Sequence, residues 1–277
     1  MKITTATPLV VAFLTFASAS TLCSEVIVDQ PNFNDVPNFQ KIAGTTTPGG
    51  EYTWKSSDAG NPGAYGYFGT VYQGYGPDAY SYISYTNSNT SMVGIGFAPQ
   101  FTAGSNEIIG VGFNTVTGNR LIGFSTPASG VGSFGAYVGI DETGDYFWQV
   151  VADGQILNNA SGTSGGIATT TAAFPNTLLM TYHADSGEYD LIVNNITVVS
   201  GGQLKDAIGN VFAPTESEIV AAGFQFAGTT DSNDQVTSFS LTSTIPESGS
   251  YAMIIGVIGI ISFISRKLII SRKCLDV

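Results

Sequence analysis

The stretch "NTLLMTYHADSGEYDLIVNNITVVSGG", Asn176 to Gly202, decides the fold. Leu178, Met180 and Tyr182 alternate with Leu179, Thr181 and His183, so one face is more apolar than the other with the period of a strand. Asp185-Ser186-Gly187 supplies a turn, because Asp tolerates unusual backbone geometry and Gly adopts positive φ without steric cost. Tyr189, Leu191 and Val193 then alternate with Glu188, Asp190 and Ile192, and Asn194-Asn195 makes a second tight turn before Ile196 to Val199. The segment predicts a three-stranded antiparallel meander.

Outward from it the same grammar repeats. Strand candidates run Glu51–Ser56, Ser91–Phe97, Asn106–Phe113, Arg120–Ser125, Phe134–Ile140, Tyr146–Ala152, Val220–Phe226 and Gln235–Ser243, rich in Val, Ile, Thr, Tyr and Phe. Gly, Asn, Asp and Ser lie between them, and only "ESEIVAAG", Glu216 to Gly223, hints at a short helix. Strand after strand without helical spacers predicts a sandwich or a barrel. The run Leu191-Ile192-Val193-Asn194-Asn195 resembles the hairpin of concanavalin A-like, laminin-G-like jelly rolls. That resemblance, over Ser91 to Ser243, implies a jelly roll with Gln235–Ser243 closing beside the N-terminal strand; with the strand count and alternation it gives an all-β fold, an antiparallel jelly-roll-like β-sandwich over residues 25–243. It implies no function, because such folds host many.

The chain of 277 residues is 43% hydrophobic, enough for a core. Between Ser24 and Ile245 four basic residues (Lys41, Lys55, Arg120, Lys205) stand against nineteen acidic ones, a net of −15. A body of that charge repels phosphate backbones, which disfavours nucleic acid as a partner. Cys23 and Cys274 lie at opposite ends, so no disulfide is expected within the body and stability must come from packing.

The ends predict an address. Met1 to Ser20 runs from one early Lys through an apolar stretch to the small residues Ala17-Ser18-Ala19-Ser20, the order of a secretory signal peptide over residues 1–22. Near the other end, Tyr251 to Ile264 is free of charge and precedes Arg266, Lys267, Arg272 and Lys273. This pattern predicts a short transmembrane helix with its basic side in the cytoplasm and the body outside. Pro246-Glu247, then Tyr251-Ala252, an apolar run and Arg266-Lys267 resemble, over residues 245–277, the PEP-CTERM sorting signal. The resemblance implies an exosortase-type membrane enzyme as processing partner and delivery to the cell envelope, the surface or an exopolysaccharide matrix.

Chemistry is sparse. His183 is the one histidine and borders a turn, no His or Cys set has zinc spacing, and the 34 glycines form no phosphate-binding loop. Paired carboxylates on one strand, the glycosidase arrangement, are not found; Glu188 and Asp190 alternate on a short hairpin that faces solvent. Asp141, Glu142 and Asp145 in "DETGD" are the candidate calcium ligands, with Asp231 and Asp234 in "DSND" a second acidic turn, since hard cations take oxygen-rich turns; no other cofactor is implied. Tyr52, Tyr65, Tyr67, Tyr72, Tyr75, Tyr80, Tyr82 and Tyr85 crowd into one segment. They read either as packing, which is the expectation, or as a stacking surface for sugar rings. The sequence therefore predicts an exported, non-catalytic surface or matrix protein associating with exopolysaccharide. A calcium-assisted lectin-like carbohydrate binder and a glycan-cleaving enzyme are the alternatives.

Overall fold

A computed structural model describes residues 22–56, 64–73, 78–86, 90–98, 107–118, 131–140, 144–153, 155–156, 165–167, 176–206, 208–227 and 234–246. Among the described residues sixteen strands run in chain order. They are β1 (Leu22–Gln30), β2 (Lys55–Ser56), β3 (Ala64–Tyr67), β4 (Thr70–Gln73), β5 (Asp78–Ser84), β6 (Thr90–Ala98), β7 (Ile108–Asn114) and β8 (Ser133–Ile140). There follow β9 (Tyr146–Ala152), β10 (Gln155–Ile156), β11 (Gly165–Ile167), β12 (Thr177–His183), β13 (Glu188–Val193), β14 (Ile196–Gln203), β15 (Ala221–Ala227) and β16 (Gln235–Pro246). The helical hint at Glu216 resolves into a single 3-10 turn, Glu216–Glu218, closed by a capping box between Thr215 and Glu218. The described residues of Ser24–Ile245 form one compact unit.

Two antiparallel sheets make up the body. The first has the order β14-β13-β12-β6-β16-β4-β3, with β1 also on β16; the second has β10-β9-β8-β7-β15-β5-β2, with β11 also on β9. The expected meander is β12-β13-β14, and both Asn194 and Asn195 take positive φ (51° and 63°), the geometry of a tight two-residue hairpin turn. The expected partnership of the closing strand with the N-terminal strand is also present.

Alternation sorts each strand between the layers. β12 and β13 read half-buried and buried in turn, placing Leu178, Met180, Tyr182, Tyr189, Leu191 and Val193 inward. Facing them across the sandwich stand Ile109, Val111, Phe113, Phe134 and Phe224 of the second sheet, all fully buried in the same core. Trp54 anchors this core. Its ring lies 5.0 Å from Phe239 and 5.4 Å from Phe224, and its indole N–H donates to Gln30 Oε1 at 3.0 Å.

The central strands of the second sheet are buried on both faces. β7, β8 and β15 have every residue buried, and the face turned from the main core carries a smaller cluster around Tyr80, Tyr82, Ile108, Tyr137 and Val151. Across this face Tyr82, Gly223, Gly112, Gly135 and Val151 pair side by side, a row whose middle three positions have no side chain.

Candidate functional site: an aromatic platform

The described part of the tyrosine-rich segment divides three ways; Tyr75 lies outside the described residues. Tyr80, Tyr82 and Tyr85 are buried. Tyr80 and Tyr82 stack at 5.4 Å, and Tyr80 donates to Asn114 Oδ1 at 2.5 Å. Burial pushes the Tyr80 phenol well above the ordinary tyrosine range, with Tyr82 and Tyr85 adding to it. Tyr137 bonds to Gln149 on the same face, and burial raises its phenol too. For these residues the packing expectation holds. Tyr52 is half-buried against the main core. Tyr65, Tyr67 and Tyr72 go a third way. They stand on the outer face of the first sheet at the β3–β4 hairpin, because Gly66 and Val71 between them are the buried, inward positions.

Two phenylalanines complete the group. Phe39 is 63% exposed, Phe68 71% and Tyr67 37%. Ring centroids lie 5.7 Å apart for Phe39–Tyr67, 4.9 Å for Tyr67–Phe68, 5.9 Å for Tyr67–Tyr72 and 6.0 Å for Tyr65–Tyr72. Five aromatic rings thus form one continuous surface, part of it open to solvent.

The backbone holds them at a cost. Phe68-Gly69 is the two-residue turn between Tyr67 and its partner Thr70, and both residues have positive φ, 46° and 86°. Such turns take Asn-Gly or Gly-Gly by preference, and a bulky aromatic at the first position is strained by about 1–2 kcal/mol. Phe39 carries the same left-handed strain at φ 60°. The surrounding loop fixes both: the Phe68 N–H donates to Asn38 Oδ1 at 2.7 Å, the Phe39 N–H to the Gly66 carbonyl at 2.8 Å, and the Phe33 N–H to the Gly69 carbonyl at 2.8 Å. Gly66 permits this clasp, since a Cβ there would meet the Pro37 carbonyl at 2.6 Å. Strained backbone that presents apolar rings to water is a feature found at functional surfaces more than at packing ones.

Polar groups border the rings. Gln235 pairs with Tyr72 in register, and Thr70 Oγ1 lies 2.9 Å from Gln235 Oε1 and 2.7 Å from the Tyr67 carbonyl. One hydroxyl proton serves two acceptors there, so the Gln235 amide is positioned without being saturated.

Elsewhere the sequence-predicted residues fare differently. His183 ends β12, beside the expected turn; its Nε2 is 3.1 Å from Asp190 Oδ2 and its Nδ1 3.4 Å from Thr90 Oγ1. Burial pushes the Asp190 carboxyl up, but the hydrogen bonds from His183, the Gly201 N–H and Ser200 outweigh it and hold it below the usual carboxylate range. The group is a cross-strand clamp on the outer face. Asp141 and Glu142 lie outside the described residues; Asp145 is described and exposed. Among the described residues no cluster of three or more His, Cys, Asp or Glu could hold a metal. Of the sorting positions only Pro246 is described, at the end of β16; Glu247, Tyr251, Ala252, Arg266 and Lys267 lie outside. No helix among the described residues is long and apolar enough to cross a membrane.

No protein-family model and no curated protein matches the chain. Solved structures with a similar arrangement include the carbohydrate recognition domain of Emp47p (10% identity, TM-score 0.44, covering 76% of this chain and 95% of that one). A legume lectin-like domain from Entamoeba histolytica is similar at 11% identity and TM-score 0.43, over 74% and 97% of the two chains. Sheep galectin-11 is similar at 16% identity and TM-score 0.31, over 58% and 95%.

Proposed function

We propose that the protein is a non-catalytic, lectin-like carbohydrate binder that contacts glycan through the platform of Phe39, Tyr65, Tyr67, Phe68 and Tyr72. The observation that carries this reading is the pair of exposed phenylalanines held in left-handed backbone beside three tyrosines. The C–H face of a pyranose stacks on such rings, while hydroxyl groups at its edge reach Gln235. At roughly 1 kcal/mol per engaged ring plus a few polar contacts, affinity per site is weak, on the order of millimolar, and useful on a repeating polymer. In this proposal the ends serve delivery: residues 1–22 direct export and residues 245–277 are read by an exosortase-type enzyme, leaving the body at the cell surface or in the exopolysaccharide matrix. Calcium held at Asp141, Glu142 and Asp145 is an accessory to this reading and not part of the platform.

A glycan array on the purified body, run with and without calcium, tests the binding role. Signals lost in Tyr67→Ala and Phe68→Ala, with circular dichroism unchanged, support it; full binding by both variants, or release of hydrolysis products, overturns it. Intact mass of the protein recovered from the cell surface tests the delivery reading, which fails if residues 254–277 are still attached.

A further inference from the structure

Backbone pairing lays one row of side chains across the outer face of the first sheet. Lys41 is bridged antiparallel to Tyr65, Tyr65 pairs with Tyr72, Tyr72 with Gln235, and Gln235 with Ala98. Directly opposed residues in an antiparallel ladder project to the same side, so Lys41 stands at the end of the row on the face that carries the rings. Exposure agrees: Lys41 and Ala98 are exposed, and Tyr65, Tyr72 and Gln235 half-buried.

A cation at this position is conspicuous. Lys41 is one of only four basic residues in a body of net charge −15. The one ion pair described, His183 with Asp190, lies elsewhere, and no acidic side chain among the described residues pairs with Lys41. Lys55, by contrast, is engaged with Ser84 Oγ at 3.0 Å. The row therefore offers an ammonium, two aromatic faces and an amide in sequence.

We propose, building on the glycan-binding reading of the platform, that it is selective for a carboxylate-bearing sugar: a uronic acid whose ring lies on Tyr65 and Tyr72 and whose carboxylate meets Lys41. The net charge of the body shapes the polymer as well as the residue. Beyond about 8–10 Å its field is screened at physiological salt, but a densely charged polyanion places many carboxylates within that range and is repelled. A single carboxylate in contact with Lys41 gains where such a chain loses. The fitting ligand is a glycan in which acidic residues are spaced by neutral ones.

The experiment uses matched tetrasaccharides, each neutral chain against the same chain with a single residue oxidised at C6 to the uronic acid: β-1,4-galactotetraose, mannotetraose and cellotetraose. Each is titrated calorimetrically into the wild-type body, Lys41→Gln, Lys41→Arg and Phe68→Ala. The expected result is that the acidic member of a bound pair is preferred about twofold to fivefold, the scale of an exposed ion pair. The preference disappears in Lys41→Gln and in 0.5 M salt while neutral binding is unchanged, survives in Lys41→Arg, and in Phe68→Ala both members lose affinity together. Neutral binding with no acidic preference, or a preference that persists in Lys41→Gln, overturns the role of Lys41 and leaves the platform standing. No binding of either member of any pair by the wild type overturns both readings.

Discussion

Replacing Phe68 by Ala and by Asn separates the two properties combined at that position. Both substitutions remove the ring, and with it the 4.9 Å edge contact to Tyr67, worth about 0.5–1.5 kcal/mol. They differ only in tolerance of φ 46° at the first position of the β3–β4 turn. Ala keeps the left-handed penalty of about 1–2 kcal/mol, whereas Asn, the residue this turn prefers, avoids most of it. The protein's own Asn194-Asn195 hairpin already uses that solution. Phe68→Asn should therefore be about 1 kcal/mol more stable than Phe68→Ala, and within about 1 kcal/mol of wild type because relief and lost contact offset. For a body of this size that difference is a separation of roughly 2–4 °C in Tm by differential scanning calorimetry. Glycan affinity should fall equally in the two variants. Equal melting temperatures would refute the strain argument; undiminished glycan binding in both would refute the platform.

Three further outcomes follow from other sites. Gly66→Ala places a Cβ 2.6 Å from the Pro37 carbonyl and 2.8 Å from Val36; urea unfolding should show a loss of about 1–3 kcal/mol, with glycan binding reduced because the loop that carries Phe39 is displaced. The phenols of Tyr80, Tyr85, Tyr137, Tyr182 and Tyr189 are raised by burial. Their contribution to stability is thus complete below the ordinary value near 10 and is lost as pH climbs above it, so ultraviolet titration should show these tyrosines ionising only as the body unfolds in alkali. Asp190 has a lowered pKa, so its contribution is present above the ordinary carboxylate value near 4 and is lost as pH falls through the lowered one; the Tm difference between wild type and Asp190→Asn should shrink toward acid. A gap that fails to shrink below the ordinary carboxylate value would contradict the lowered pKa of Asp190.

Strand identity was legible wherever alternation was strong. Leu178–Tyr182 and Tyr189–Val193 bury alternate residues in the expected phase, and the two asparagines mark their turn unmistakably. Glu51–Ser56 was less legible: its aromatic and β-branched residues suit a strand, yet only Lys55–Ser56 pairs as one, because Trp54 is turned into the core from an irregular segment. Among the tyrosines, period two puts Tyr80 with Tyr82 and Tyr65 with Tyr67, but it cannot say whether a face meets protein or water. That depends on which sheet a strand joins, and the central strands of the second sheet are covered on both sides. Phe39 and Phe68 were not anticipated as site residues. The available signal was Phe68-Gly69, an aromatic where a hairpin turn wants Asn, but reading it requires the β3–β4 register, which four-residue strands do not announce.

The strand order carries a consequence for how the chain folds. β16 lies between β6 and β4 in the first sheet, and β15 lies between β7 and β5 in the second, yet these are the last two strands to be made. Thr70 and Gln235, in contact at 2.9 Å, are 165 positions apart, and Ser91 meets Ser243 across 152. Closing such distant pairs is slow, because the entropy of ordering the intervening chain is lost before the contact is gained. A nascent chain that has reached only β14 can assemble β7-β8-β9 and the group β6-β12-β13-β14, but not the joint that unites either with β3–β5. Truncation before Ala221 removes both of these strands and therefore cuts each sheet in two, leaving β7-β8-β9 and β6-β12-β13-β14 with exposed edges and no partner for β3–β5.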